Sequence, residues 1–469
     1  MKASVKKIAL AVAVSTGLSG MCVQAQAAAF ALQEQSASGV GSAFAGGAAE
    51  GADASSMFYN PATLSMRKSA QIVGALHLAT PSMTFRNEQS QPALSQPLGN
   101  EGGDAGYGNF LGNFYLALPI NDRWAVGLGV GAPYGLATDY NNTWMGRYQA
   151  LKSEVQTINV NPAVSFKPTD KLSLGLGVNW QYVHAAFSSA VNYSAALGSA
   201  AQNAAGAGLL PPEMIPAIMG ATGGLDSVSN VKGHNNAWGW NVGALYEFDS
   251  ATRVGVAYRS KIKHKIDGTV TFDNPSLDGV PAALAPIVGS LANGVNGAAL
   301  YNGKVHSDIT LPQTANVSFF RQVTPKLDLM ADIQWTGWSS LKELTFTRTN
   351  GSVLQSTPEW FKNTWRFSVG GNYRFDDHWL LRAGAAFDQS PVQDAYRTPR
   401  LPDADRYWLS IGGQYAFNKQ MKLDVGFAYL FAKNAPIHEN AGNALANGTL
   451  DGHFDDYATV ASMQFTYTF

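Results

Sequence analysis

The sequence predicts an all-β fold, a 14-stranded antiparallel transmembrane β-barrel with an N-terminal plug inside its lumen. Three observations predict it. One end carries a secretory leader, the other ends as an alternating strand on an aromatic residue, and tight polar turns recur between them.

Lys2, Lys6 and Lys7 precede an apolar run beginning at residues 8–14, and Ala25-Gln26-Ala27 is a small-residue cleavage site. Residues 1–27 therefore read as a signal peptide, with the mature chain starting at Ala28. The run is too short and interrupted for a membrane helix, which needs about 20 apolar residues. The single cysteine, Cys22, belongs to the leader, and the bulky Met21 before it argues against lipid modification. A mature chain without cysteine needs no disulfide chemistry in an oxidising compartment. Charged residues make up 14% of the chain against a usual figure of about 25%, while Gly (48), Trp (11) and Tyr (18) are plentiful. A formal net charge of −1 gives no basis for a nucleic-acid partner.

At the C-terminus Ala461, Met463, Phe465, Tyr467 and Phe469 alternate with Ser462, Gln464, Thr466 and Thr468. In a soluble sandwich such an apolar face looks inward; in an outer-membrane barrel it faces lipid and the polar face lines the lumen. The leader at the other end favours the membrane and places the chain in the outer membrane of a Gram-negative cell.

Strand number follows from the turns. Asn121-Asp122, Thr169-Asp170, Asp249-Ser250, Thr324-Pro325, Asp376-Asp377 and Asn418-Lys419 are tight and rich in turn-forming residues. Longer connections separate them, as expected for short periplasmic turns alternating with long external loops. Six tight turns with both termini on the periplasmic side make seven hairpins, hence 14 strands across residues 68–469. Strand faces agree: Leu327, Leu329, Ala331, Ile333 and Trp335 alternate with Asp328, Met330, Asp332 and Gln334. A lumen of that width stays open unless something fills it. Residues 28–67 lack strand alternation but hold Phe30, Leu32, Met57, Phe58, Tyr59 and Leu64, enough apolar surface for a compact plug.

Phe30-Ala31-Leu32-Gln33-Glu34, the glycine-rich stretch from Ser38 to Gly46, and Asn60-Pro61-Ala62 resemble the N-terminal hatch of the FadL/TodX family of outer-membrane transporters. The similarity continues in order through Tyr134-Gly135-Leu136-Ala137-Thr138, Trp335-Thr336-Gly337-Trp338-Ser339 and Pro402-Asp403-Ala404-Asp405-Arg406. The resemblance implies a passive importer of long-chain fatty acids, with Asn60, Pro61 and Ala62 as the hatch motif. It also implies a kinked third strand around Pro133, Tyr134 and Gly135 through which ligand leaves sideways into lipid. Pro133 removes a ladder donor and Gly135 permits irregular backbone there. Neutral hydrophobics such as aromatic hydrocarbons or alkanes are the alternative cargo. The family's basic headgroup contacts align by eye with Ser189 and Thr345, which leaves the carboxylate contact open. A second Asn161-Pro162-Ala163 lies inside a strand pattern and is taken as coincidence.

Expected ligand contacts are Phe30, Leu210, Ile218, Arg259 and Lys261. Leu210 and Ile218 sit in the apolar loop 195–225, which with 275–300 is expected to form an external landing groove or to pack as a lid. Read as one strand, Val254, Val256, Tyr258, Ile262 and Ile266 face lipid, which would line the lumen with Arg259, Lys261, Lys263 and Lys265. No Gly-x-Ser-x-Gly elbow or local Ser–His pair marks an enzyme, so an outer-membrane lipid hydrolase is the distant alternative. Asp403-Ala404-Asp405 lacks the remaining ligands of a calcium loop, no His/Cys cluster suggests a metal, and no cofactor is expected. The expected partners are a hydrophobic small molecule and outer-membrane lipid, with the protein a monomer. A non-selective polar porin is opposed by the plug.

Overall fold

The computed structural model describes residues 29–439 and 443–469. The leader assigned to residues 1–27, with Cys22 and the expected start at Ala28, lies outside the described residues.

Residues 29–67 come first and carry the short helix α1 (Ala37–Gly41) and two 3-10 turns, Ala54–Phe58 and Pro61–Met66. Each begins on a side-chain cap: Ser36, Asp53 and Asn60 accept from Gly39, Ser55 and Ala62 N–H respectively.

The barrel strands follow: β1 (Gln71–Asn87), β2 (Asn109–Pro119), β3 (Trp124–Gly131) continued by β4 (Gly135–Asp139), β5 (Lys152–Phe166), β6 (Leu172–Asn192) and β7 (Asp226–Glu247). Then come β8 (Thr252–Arg259) continued by β9 (Ile262–Asp273), β10 (Gly303–Leu311) by β11 (Thr314–Gln322), and β12 (Leu327–Thr336) by β13 (Glu343–Arg348). Last are β14 (Val353–Pro358) continued by β15 (Thr364–Arg374), β16 (Trp379–Asp388), β17 (Arg406–Ala416), β18 (Met421–Ala432) continued by β19 (Ala435–Glu439), and β20 (Leu450–Thr468). Twenty segments thus make 14 antiparallel strands, six of them broken in two. β20 closes on β1 from Gln71↔Thr468 to Asn87↔Gly452, so the sheet has no free edge there.

All six expected turns are present, and their side chains explain them. Asn121 Oδ1 accepts from the N–H groups of Arg123 and Trp124, each at 2.9 Å. Asp376 does the same for His378 and Trp379, and Asn418 for Gln420 and Met421. On β18 Val425, Phe427, Tyr429 and Phe431 are exposed on the outside, while Asp424 and Ala428 are buried against the interior.

Towards the long loops the faces exchange. On β8 Val256 faces out, and Arg253 and Arg259 reach the plug. Between Asn241↔Arg259 and His234↔Asp267 the pairing with β7 slips by one residue, the mark of a bulge at Ser260-Lys261. Beyond it Ile262, His264 and Ile266 are buried, and Lys261, Lys263 and Lys265 are exposed. The interior basic stripe expected at Lys261, Lys263 and Lys265 is therefore wrong. Above the lipid the outer wall meets water, and one extra residue turns every later side chain to the other face.

The long connections pack over this end. α2 (Tyr193–Gly206) and α3 (Ile215–Ala221) lie between β6 and β7, and α4 (Ala285–Ala298) lies between β9 and β10. Their apolar faces form one cluster holding Leu197, Leu210, Ile218, Val288 and Ala292.

Candidate functional site

Side chains from much of the circumference hold the plug. Arg366 donates to the Ala43 carbonyl (2.9 Å) and Arg253 to those of Ala49 (3.1 Å) and Glu50 (2.9 Å). Asn372 donates to Glu50 (2.7 Å), and Ser318 Oγ accepts from Ala48 N–H (2.9 Å). Asn60 caps the turn opened by Pro61, and its amide also donates to the carbonyls of Ala48 (2.8 Å) and Ala244 (3.0 Å), the latter on β7. Close approach is possible because inward positions are glycine: an added Cβ at Gly255 would strike the Ala48 carbonyl, and one at Gly384 the Ser42 carbonyl.

Glu34 is buried in the plug, and neither carboxylate oxygen has a hydrogen-bond partner. Burial pushes it up to about 7, opposed by its own backbone N–H and by Arg406 and Arg366, and aided by Asp388.

The wall is interrupted between β3 and β4. β2 pairs with β3 from Phe114↔Val130 to Pro119↔Ala125, whereas β4 pairs as a ladder with β5. Contact with the β1–β2 side resumes only where Asp139 N–H donates to Ala105 (3.0 Å). The uncovered edge is taken from inside by the plug: Leu32 N–H donates to Pro133 and Gly135 N–H to Phe30, both at 2.8 Å, bridging Ala31 to Tyr134. Gln35 spans the interruption, donating to Ala132 (2.9 Å) on one edge and accepting from Asn113 (2.8 Å) on the other.

Above the plug tip the interior is apolar. Phe30 packs edge-on to Trp338 at 4.8 Å within a cluster that includes Tyr134, Ile266, Leu344 and Phe346. Next to it opens a vestibule of about 940 Å³, lined in part by Ser189, Phe272, Leu354, Arg397 and Arg400. Arg400 is buried, stands over the ring of Phe187 (5.5 Å) and reaches Ser153 Oγ at 3.3 Å. Burial lowers it to about 10 while Glu439 and Glu359 raise it, so it keeps its charge. Glu359 is pushed up to about 8 by burial and by Glu439, with Arg400 opposing, so near neutral pH it does not fully balance that charge.

Phe30, Pro133, Tyr134 and Gly135 thus meet in one place, and Asn60-Pro61-Ala62 anchors the plug to β7. Arg259 is interior, but its guanidinium is taken up by the Phe58 carbonyl (2.8 Å), the Phe58 ring (4.5 Å) and Asn179. Lys261 is outside the barrel. Leu210 and Ile218 are not presented to solvent: they are 7% and 0% exposed inside the loop seam, while Leu209 is 82% exposed. Ser189 lines the vestibule, but Thr345 is on the face opposite its buried neighbours Leu344 and Phe346 and bonds to Ser356. Sequence reading missed Arg400 and Gln35; neither carries a local signal, since each gains its role from residues more than 75 positions away.

Residues 18–469 match the family described as outer membrane protein transport protein (OMPP1/FadL/TodX). The long-chain fatty acid transport protein of Escherichia coli strain K12 is 32% identical over 444 residues, covering 92% of this chain and 93% of that protein. A Pseudomonas aeruginosa FadL homologue of known structure superposes with a TM-score of 0.80 at 28% identity, covering 94% of this chain and 99% of the other. The P. putida toluene transporter TodX shares the fold, with a TM-score of 0.60 at 16% identity over 89% of this chain and 94% of that one. With its closed 14-stranded barrel and plugged lumen, the chain belongs to the OMPP1/FadL/TodX family of outer-membrane transport proteins.

Proposed function

We propose that the protein passively imports long-chain fatty acids. Ligand is captured at the loop seam, beginning with exposed Leu209 and continuing as α2, α3 and α4 part to uncover Leu210 and Ile218. It moves into the vestibule with its carboxylate at Arg400 and its chain along the apolar interior. Displacement of Phe30–Leu32 then frees the edge at Pro133–Gly135, and the ligand leaves sideways into lipid. The carrying observation is the interrupted wall closed from inside by the plug's own backbone. Sideways exit spares the acyl chain the aqueous route, where exposed apolar surface costs about 25 cal/mol per Å². The name of the E. coli relative supports the same cargo. One copy holds seam, vestibule, plug and gap, so the working unit is a monomer.

Neutral hydrophobics are the second reading, favoured by the apolar lining around Leu344, Phe346 and Phe361. Oleate and toluene binding to wild-type and Arg400→Gln protein separates the two. Losing a charge-assisted hydrogen bond should weaken oleate about 10- to 100-fold and leave toluene unchanged. Unchanged oleate binding would remove Arg400 from the site, and equal loss for both ligands would make its role structural.

A further inference from the structure

The bulge at Ser260-Lys261 leaves an outward-facing basic surface for which uptake has no use. We propose that the outer faces of β7, β9 and β10 form a docking site for the phosphorylated headgroup of an outer-leaflet glycolipid.

The height is right for a headgroup. Just below Lys261 the outer wall carries Trp240 and Tyr258, with rings 5.3 Å apart, and Trp238, 68% exposed, follows one step farther along β7 beside the lysines. Such aromatic rings mark the level where hydrocarbon gives way to headgroups. Lys263 and Lys265 follow on the same face at steps of about 6.6 Å, rising from that level towards the long loops.

The charge is unbalanced. Lys263 pairs with Asp308 at 2.7 Å, but among the described residues Lys261 and Lys265 have no carboxylate within ion-pair distance. Farther along, Lys232 and Lys304 flank Thr269 from either side, putting two exposed ammonium groups and a hydroxyl in one cross-strand row. Only Asp267 and Asp308 interleave these five lysines on β7, β9 and β10. Crowded like charges on one face repel, and anionic phosphate oxygens relieve that repulsion while accepting charge-assisted hydrogen bonds.

The test measures retention of lipid A, a glycolipid phosphorylated on two sugars, by the purified full-length protein. Its dephosphorylated form and inorganic phosphate are the comparison ligands, and a heat-modifiable electrophoretic shift checks folding. Wild-type protein should retain the phosphorylated lipid and not the dephosphorylated one. Each lysine should contribute about fivefold, so Lys261→Gln/Lys263→Gln/Lys265→Gln loses roughly a hundredfold. Lys419→Gln/Lys422→Gln at the opposite rim should retain it like wild type. If the triple variant does not fold, Lys265→Gln alone should lose about fivefold. Retention that survives the substitutions, or is equal for dephosphorylated lipid, overturns the proposal. So does inorganic phosphate competing as tightly as the lipid, since the site would then recognise a free anion.

Discussion

Glu34 shows how a single plug side chain ties closure to pH. Its carboxyl goes from the ordinary 4.5 to about 7 when the plug is docked, with Arg366, Arg406 and Asp388 the charged groups around it. Between those values the docked plug holds a proton that a released, solvated plug does not. Docking is therefore tightest below pH 4.5 and weakens as pH rises, by at most about 3 kcal/mol once pH exceeds 7. Labelling of Ala31→Cys, taken as a ratio to a fully exposed control cysteine so that the thiol's own titration cancels, should be relatively faster at pH 8 than at pH 5, and Glu34→Gln should flatten that ratio. A pH difference that survives Glu34→Gln would assign it to another group. The sequence shows Glu34 as one acid in a small-residue stretch. Its importance comes from burial without a partner, which no local pattern reveals. The same holds for Arg400, whose surroundings are supplied by β5 and β6.

Among elements, the tight turns were legible because their Asn, Asp and Thr side chains bond to backbone two or three residues on, a purely local act. The strand breaks were not. Ile262-Lys263-His264-Lys265-Ile266 alternates identically whichever face is inside, so the bulge before it decides, and Ser260 does not announce one. The break between β3 and β4 was suggested by Pro133 and Gly135, but its closure by Gln35 needed the fold. Gln35 accepts from β2 and donates across the gap. Gln35→Ala and Asn113→Ala should each loosen that edge by about 1 kcal/mol and speed ligand-independent labelling of Ala31→Cys, the reporter beside it. Because one clasp is involved, the double variant should be no worse than the worse single. Additive effects would show two independent bonds.

At the scale of the whole molecule, the sideways exit proposed above asks for movement of the plug tip and not of its body. A disulfide between Ala48→Cys and Ser318→Cys, sites joined by a 2.9 Å hydrogen bond, would hold the body to β11. Oleate uptake should persist when the bridge is oxidised; uptake restored only by reductant would mean the entire plug swings. The same anchoring bears on how the barrel is made. Gln71 on β1 accepts from Ala54 N–H, and Gln464 on β20 accepts from Ala37 N–H and donates to Asp53. The plug thus grips both sides of the seam between first and last strands. Bringing together chain ends nearly 400 residues apart costs about 5 kcal/mol of closure entropy. A plug already bonded to β1 offers β20 a prepared landing place beside it. If those bonds to β1 form before closure, the segment that stoppers the channel is also the mandrel on which the sheet is wound shut.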